Sequence, residues 1–193
     1  MANGRVLTGF SKPYVALYSV SSGSVVYSSG QILARGVSVN ISLDDNGDNV
    51  FYADNGAAET ASQAFTSGAV QLVVDGLNSA AEALILGLPT ADSDGWTHYG
   101  DSMSIPYVGV GMIARYMSGG VTSYVPVVLT KTKFQSPNLS AVTQEEEIDW
   151  QTQELNATIL RDDSSNRDWK IVGTAQTTET STEAMIKTLF SIT

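Results

Sequence analysis

Cysteine is absent from the 193 residues, so disulfides, thiolate metal sites and cysteine nucleophiles are excluded. Histidine occurs once, as His98, which excludes a cluster of imidazoles holding a metal. Charge is scarce too: charged residues make up 16% of the chain, against a typical share of about 25%. Positive charge is scarcer still. Lys and Arg number 10 against 20 Asp and Glu, for a net charge of -10, which disfavours nonspecific attraction to nucleic-acid phosphates and anionic lipid. The start, "MANGRVLTGFSKP", carries no apolar run of signal-peptide length, and no stretch approaches the length of a bilayer span. The expectation is a soluble protein made and used in a cytoplasm, without membrane insertion. On that reading the N-x-S/T triplets at Asn40, Asn138 and Asn156 are chance matches.

Ser, Thr, Gly, Asn and Gln fill the place of the missing charges. Such a surface is inexpensive to immobilise and suits a protein largely covered by copies of itself; a β-rich domain with polar turns has the same composition. Both readings stay open. The length fits one domain spanning residues 1–193 with a core of its own.

Strand signals dominate, as short β-branched and aromatic runs punctuated by Gly, Asn and Asp. "YVALYSV" (14–20) opens the series. In "ILARGVSVNISLDD" the alternation puts Leu33, Arg35, Val37, Val39, Ile41 and Leu43 on one side, expected to be core, and Ser38, Asn40, Ser42 and Asp44 on a small polar face. "AETASQAFTSGAVQLVVDG" reads as one long strand whose apolar parity shifts near Gly68, as a bulge would produce. "SAAEALILGLP" predicts a packed helix over about 77–87. Ser79 and Glu82 stand at capping-box spacing, Leu77, Ala80, Ala81, Leu84, Ile85 and Leu88 form a stripe, and Gly87 and Pro89 stop it.

Two strands follow, "IPYVGVGMIARYM" and "VTSYVPVVLTKTKF", joined by the turn dipeptide Gly119–Gly120. "QEEEIDWQTQELNATIL" and "DWKIVGTAQT" supply two more around the turn "RDDSSNRD". Thr180 and Glu183 are placed to cap a short terminal helix, "TEAMIKTLF". The expected fold is mainly β: a β-sandwich or partly closed barrel with one packed α-helix. An N-terminal arm of about 1–12, a long loop of about 44–57 and a C-terminal extension of about 178–193 complete it.

Catalytic signals are weak. A Ser-His-Asp arrangement would rest on His98, with Ser102 and Ser104 nearby, but no G-x-S-x-G elbow appears. Glu145 and Glu147 of the acidic run point one way along a strand and Glu146 the other, the pattern of a solvated or interface strand rather than of a glycosidase pair. "GVGMIA" (109–114) lacks the last glycine of a dinucleotide fingerprint and sits inside a strand. Lys131 and Lys133 are too few to signal nucleic-acid binding in so acidic a chain. The chain is not expected to be an enzyme or to carry a cofactor.

"DDNGDNVFYADNG" (44–56) looks like a calcium loop, but counted from Asp44 the sixth and twelfth places are Asn49 and Asn55, and from Asp45 they are Val50 and Gly56. Both registers fail the EF-hand pattern. A solvated or interfacial loop is the preferred reading, and an irregular carboxylate–carbonyl calcium site the alternative.

The order "FYADN", a "SGAVQLVVDGL" strand, an Ala-rich helix ending in "LGL", "PYVGVG", "KTKFQSP", "TQEEEIDWQTQEL" and "DWKIV" resembles the major tail proteins, or tail-tube proteins, of long-tailed bacteriophages with non-contractile tails. The likeness runs from about Val6 to about Thr177. It implies a virion structural protein: a β-sandwich or barrel subunit with a flanking helix, six copies per ring, and rings stacked into a tube through which DNA is delivered without specific binding. It further implies tape-measure, tail-tip and tail-terminator partners, assembly in the host bacterial cytoplasm, and a place in the virion tail. Within that frame Ser38, Asn40, Ser42 and Asp44 are expected to face the lumen. Asp44, Asp45, Asp48, Phe51, Tyr52 and Asp54 are expected to contact the next ring, with the two aromatics as anchors. The alternative is a carbohydrate- or partner-binding sandwich, which aromatic-lined pockets around Trp96, Tyr99 or Trp150 would favour.

Overall fold

A computed structural model of the chain describes residues 4–44, 49–53, 56–61, 65–101, 103–143 and 150–192. The fold is mainly β, with ten strands and two helices among these residues: β1 (Val6–Ser21), β2 (Ser24–Ile32), β3 (Gly36–Leu43), β4 (Asn49–Ala53), β5 (Gly56–Ala61), β6 (Gly68–Val74), α1 (Ser79–Leu86), β7 (Val108–Ser118), β8 (Val121–Phe134), β9 (Gln153–Leu160), β10 (Lys170–Val172) and α2 (Glu179–Leu189). Eight strands form one antiparallel sheet in the order β2-β1-β7-β8-β9-β6-β3, with β10 added to β8; β4 and β5 form a separate two-stranded sheet. The sheet coils until Phe10 of β1 lies over Gly36 of β3, where a Cβ would stand 2.2 Å from the ring. The coil stays open, so β2 and β3 are its edges.

Alternation along the strands separates two cores. On the inner side, Val15, Leu72, Val108, Val110, Met112, Leu129, Leu155 and Ile159 converge from five strands on Ala81, Ile85 and Leu86 of α1. On the outer side, Tyr14, Ala16, Tyr27, Ile113 and Val128 pack beneath Ile186 of α2 and Phe190 at its C-cap. Side chains at the centre of the sheet thus find a helix whichever way they point, which is why β7 is buried from Val108 to Ala114 without a polar alternation. Buried hydroxyls are satisfied locally, Thr132 donating to the Val108 carbonyl at 2.9 Å and Thr130 to that of Asp168 at 2.6 Å.

Both helix starts lie upstream of the residues expected to cap them. Asn78, not Ser79, caps α1, its side chain accepting from Ala81 N at 2.8 Å. Thr178, not Thr180, caps α2 through Ser181 N at 3.2 Å. Gly87 ends α1 in the left-handed region at φ 63, as its sequence position predicts. The buried stripe of α1 is Ala81, Ile85 and Leu86; Ala80 is exposed, because this short helix is set by the inner core rather than by its own periodicity. Gly119 and Gly120 both take positive φ, 56 and 81, joining β7 to β8 by the tight turn expected of them.

Four other expectations are corrected. Residues 6–12 are no free arm: β1 begins at Val6 and pairs with β7 from Val6↔Met117 onward. "ILARGVSVNISLDD" is not one strand, since Leu33, Ala34 and Arg35 separate β2 from β3. The single long strand read from Ala58 to Gly76 is two, β5 and β6, with Phe65, Thr66 and Ser67 outside both. The parity shift near Gly68 therefore marks a break between strands and not a bulge. The extension after Thr177 forms the expected short terminal helix, but it packs over a core of its own, so the fold carries two packed helices instead of one.

Candidate functional site

The expected lumen face lies on β3. Ser38, Asn40, Ser42 and Asp44 are all exposed. The opposite side of β3 is only partly core: Val39 and Ile41 are half-buried against the inner cluster, whereas Val37 and Leu43 are 56% and 48% exposed. An edge strand explains this, because β3 has β6 on one side alone and its ends project beyond the covered centre. Its free edge leaves backbone N–H and C=O groups available to another strand. At the other end of the sheet β2 offers a second such edge.

The expected inter-ring segment is not an irregular loop. Asn49–Ala53 and Gly56–Ala61 form an antiparallel hairpin whose register shifts between the pairs Phe51↔Glu59 and Tyr52↔Ala57. Phe51 and Tyr52 therefore stand at adjacent positions of a strand. Asp45, Asp48 and Asp54 lie outside the described residues. Asp44 is described, and the Ser67 hydroxyl donates to its carboxylate.

His98 has a carboxylate partner, its Nε2 standing 2.9 Å from Oδ2 of Asp92. That pair braces a loop. The other oxygen of Asp92 accepts from Asp94 N at 3.0 Å and Trp96 N at 2.8 Å, and these contacts, led by the Trp96 amide, hold the carboxyl below its ordinary range. Glu145, Glu146 and Glu147 lie outside the described residues. No group of three metal-capable side chains is found among the described residues. No helix among them is long and apolar enough to cross a membrane.

Trp96, Tyr99 and Trp150 are 70%, 57% and 84% exposed. A polar cleft of ≈ 550 Å³ between 135–140 and 151–156 is lined by amides and hydroxyls such as Gln135, Asn138 and Gln153, with none of these aromatics in its wall.

The glycines of "GVGMIA" have a role that spacing could not reveal. A Cβ on Gly109 would stand 2.5 Å from Cε1 of Tyr27, and one on Gly111 would stand 2.8 Å from Ile186. Both clear the bed in which α2 lies. A Cβ on Gly30 would meet the Phe190 carbonyl at 2.4 Å, and one on Gly173 would come within 3.0 Å of Met185. An ionic clamp completes the seat. Glu183 of α2 pairs with Lys12, lies 2.8 Å from Lys187 and accepts from the Tyr14 hydroxyl at 2.6 Å. Lys12 first, then Lys187 and Tyr14, depress the Glu183 carboxyl to about 2, while burial and Glu183 raise Tyr14. Lys12 reaches this site from a left-handed backbone, φ 49, at the register shift between Ser11 and Tyr14. No protein-family model matches this chain, and no curated protein matches it.

Proposed function

We propose that this chain is a virion structural protein whose copies join as hexameric rings and stack into the tail tube of a long-tailed bacteriophage, through which DNA is delivered. The observation that carries the reading is the open coiled sheet: β2 and β3 end it with edges unpaired among the described residues, on a body whose two faces are already covered by α1 and α2. Edge strands left free invite pairing, and closure through neighbouring copies removes them. Because α1 fills the inside of the coil, a passage for DNA has to run between subunits. The exposed row Ser38, Asn40, Ser42 and Asp44 suits such a wall. At -10 per chain, six copies carry about 60 negative charges, a field in which a polyanion slides instead of adhering. The resemblance of the ordered segments supplies the hexamer and the partners.

Sedimentation velocity and negative-stain microscopy across a concentration series test the reading. The expected outcome is rings or tubes that grow with concentration. A strict monomer at high concentration, even with tail-tip components added, overturns it.

A further inference from the structure

Half of the chain's basic residues crowd one region. Lys131 and Lys133 at the end of β8, and Arg161, Arg167 and Lys170 around the β9–β10 turn, are five of the 10; with Asp162, Asp163 and Asp168 the two segments sum to 5 − 3 = +2, leaving 5 − 17 = -12 for the rest of the chain. Two of its three acids are already engaged. Asp162 accepts from Ser164 N and Oγ, and Asp163 is held by Lys131 at 2.7 Å and the Tyr18 hydroxyl at 2.9 Å. Lys133, Arg167 and Lys170 take part in none of the ion pairs among the described residues.

Here Phe65, Thr66, Lys131, Leu160, Arg161 and Arg167 line an open pocket of ≈ 410 Å³. Phe65 stacks on Trp169 at 4.8 Å with Lys170 above that ring at 4.6 Å, so the pocket joins an apolar floor to a cationic rim. Its chemistry calls for an aromatic group flanked by carboxylates.

The chain presents such an element. Between residues 76 and 114 there is no Lys or Arg, and the fully exposed stretch 89–101 carries Asp92, Asp94, Asp101, Trp96 and Tyr99. The loop is rigid through its own bonds: Asp92 N to the Trp96 carbonyl at 2.9 Å, Gly95 N to that of Asp92 at 3.1 Å, and Tyr99 Oη to Glu82 at 2.9 Å. A preorganised loop loses little freedom on docking. Trp and Arg are the residue types that dominate interface energetics.

Resting on the self-assembly reading, we propose that loop 90–101 of one copy docks in the basic pocket of a second copy. Trp96 enters against Phe65 and Leu160, and Asp94 and Asp101 face Arg167 and Lys133. The two surfaces differ, so the contact is heterologous and propagates from copy to copy.

Charge exchange tests it. Trp96→Ala, Arg167→Asp and Asp94→Lys should each fold as the wild type does and raise the concentration for half-assembly, about thirtyfold for Trp96→Ala, the effect of an anchor residue. Mixing Arg167→Asp with Asp94→Lys should restore assembly, because each supplies the charge the other now needs. Wild-type tubes with unaffected variants, or a mixture that stays dispersed, overturn this contact and leave the tube reading standing; a wild type that never assembles overturns both. Salt-sensitive binding of a short duplex DNA by the wild type, lost in Arg167→Asp, would assign the pocket to nucleic acid instead and overturn the proposal.

Discussion

Replacing Glu183 by Gln tests whether the ionic clamp seats α2 or whether apolar contact from Ile186 and Phe190 suffices. The carboxyl of Glu183 falls from an ordinary 4.5 to about 2, chiefly through Lys12 and Lys187. At about 1.4 kcal/mol for each tenfold change in proton affinity, the ceiling is about 3 kcal/mol. Lys12 and Lys187 keep 38% and 42% of their side-chain surface in water, so screening removes roughly half, leaving about 1.5 kcal/mol. For a chain of this size that lowers the melting temperature by about 3–6 °C. Gln retains an acceptor for the Tyr14 hydroxyl, which keeps the substitution from leaving a buried polar group unpaired. The pH dependence follows from the direction of the shift. A depressed folded-state carboxyl stabilises fully above 4.5, and that contribution fades as pH falls toward about 2. The wild type should therefore exceed Glu183→Gln in stability at neutral pH and converge with it near pH 2, read as denaturation midpoints by circular dichroism. Equal stability at neutral pH, or a gap unchanged in acid, would refute the reasoning.

Gly109→Ala drives a methyl group into the Tyr27 ring, which is buried and tied to the Thr130 carbonyl at 2.8 Å; a loss of about 1–3 kcal/mol in chemical denaturation is expected. Phe51→Ala combined with Tyr52→Ala should leave the thermal melt of the monomer in place and weaken stacking by about 2 kcal/mol or more, seen as shorter tubes; unfolding of the double variant would assign the pair to the subunit core. Calcium or a chelator should leave both the melt and the tube length unchanged, as the broken EF-hand spacing implies; a strong upward shift with calcium would restore the metal reading.

Local rules carried far along this chain. Gly119–Gly120 announced its turn and Gly87 its helix end, because both depend on backbone conformations that few residues other than glycine adopt readily. Period-two patterning located the main strands and the β class, since alternation is a property of the extended chain itself. What the patterning could not convey was adjacency. Strand order β2-β1-β7-β8-β9-β6-β3 pairs residues more than a hundred positions apart, as in Val6↔Met117. The break at Phe65–Ser67 imitated a bulge because both shift parity by the same count. The glycines at 109 and 111 were legible only as a failed fingerprint until α2 lay across them, since a missing side chain declares its purpose through what occupies the space. Likewise the acid Glu183, the base Lys12 and the hydroxyl of Tyr14 are unremarkable letters far apart in the chain, and their clamp exists only where the outer face of β1 meets the last helix. Sequence alone thus determined the elements and their local punctuation, which follow from backbone sterics and burial period; tertiary structure alone decided which surfaces meet, because contact between distant segments is a property of the packed chain.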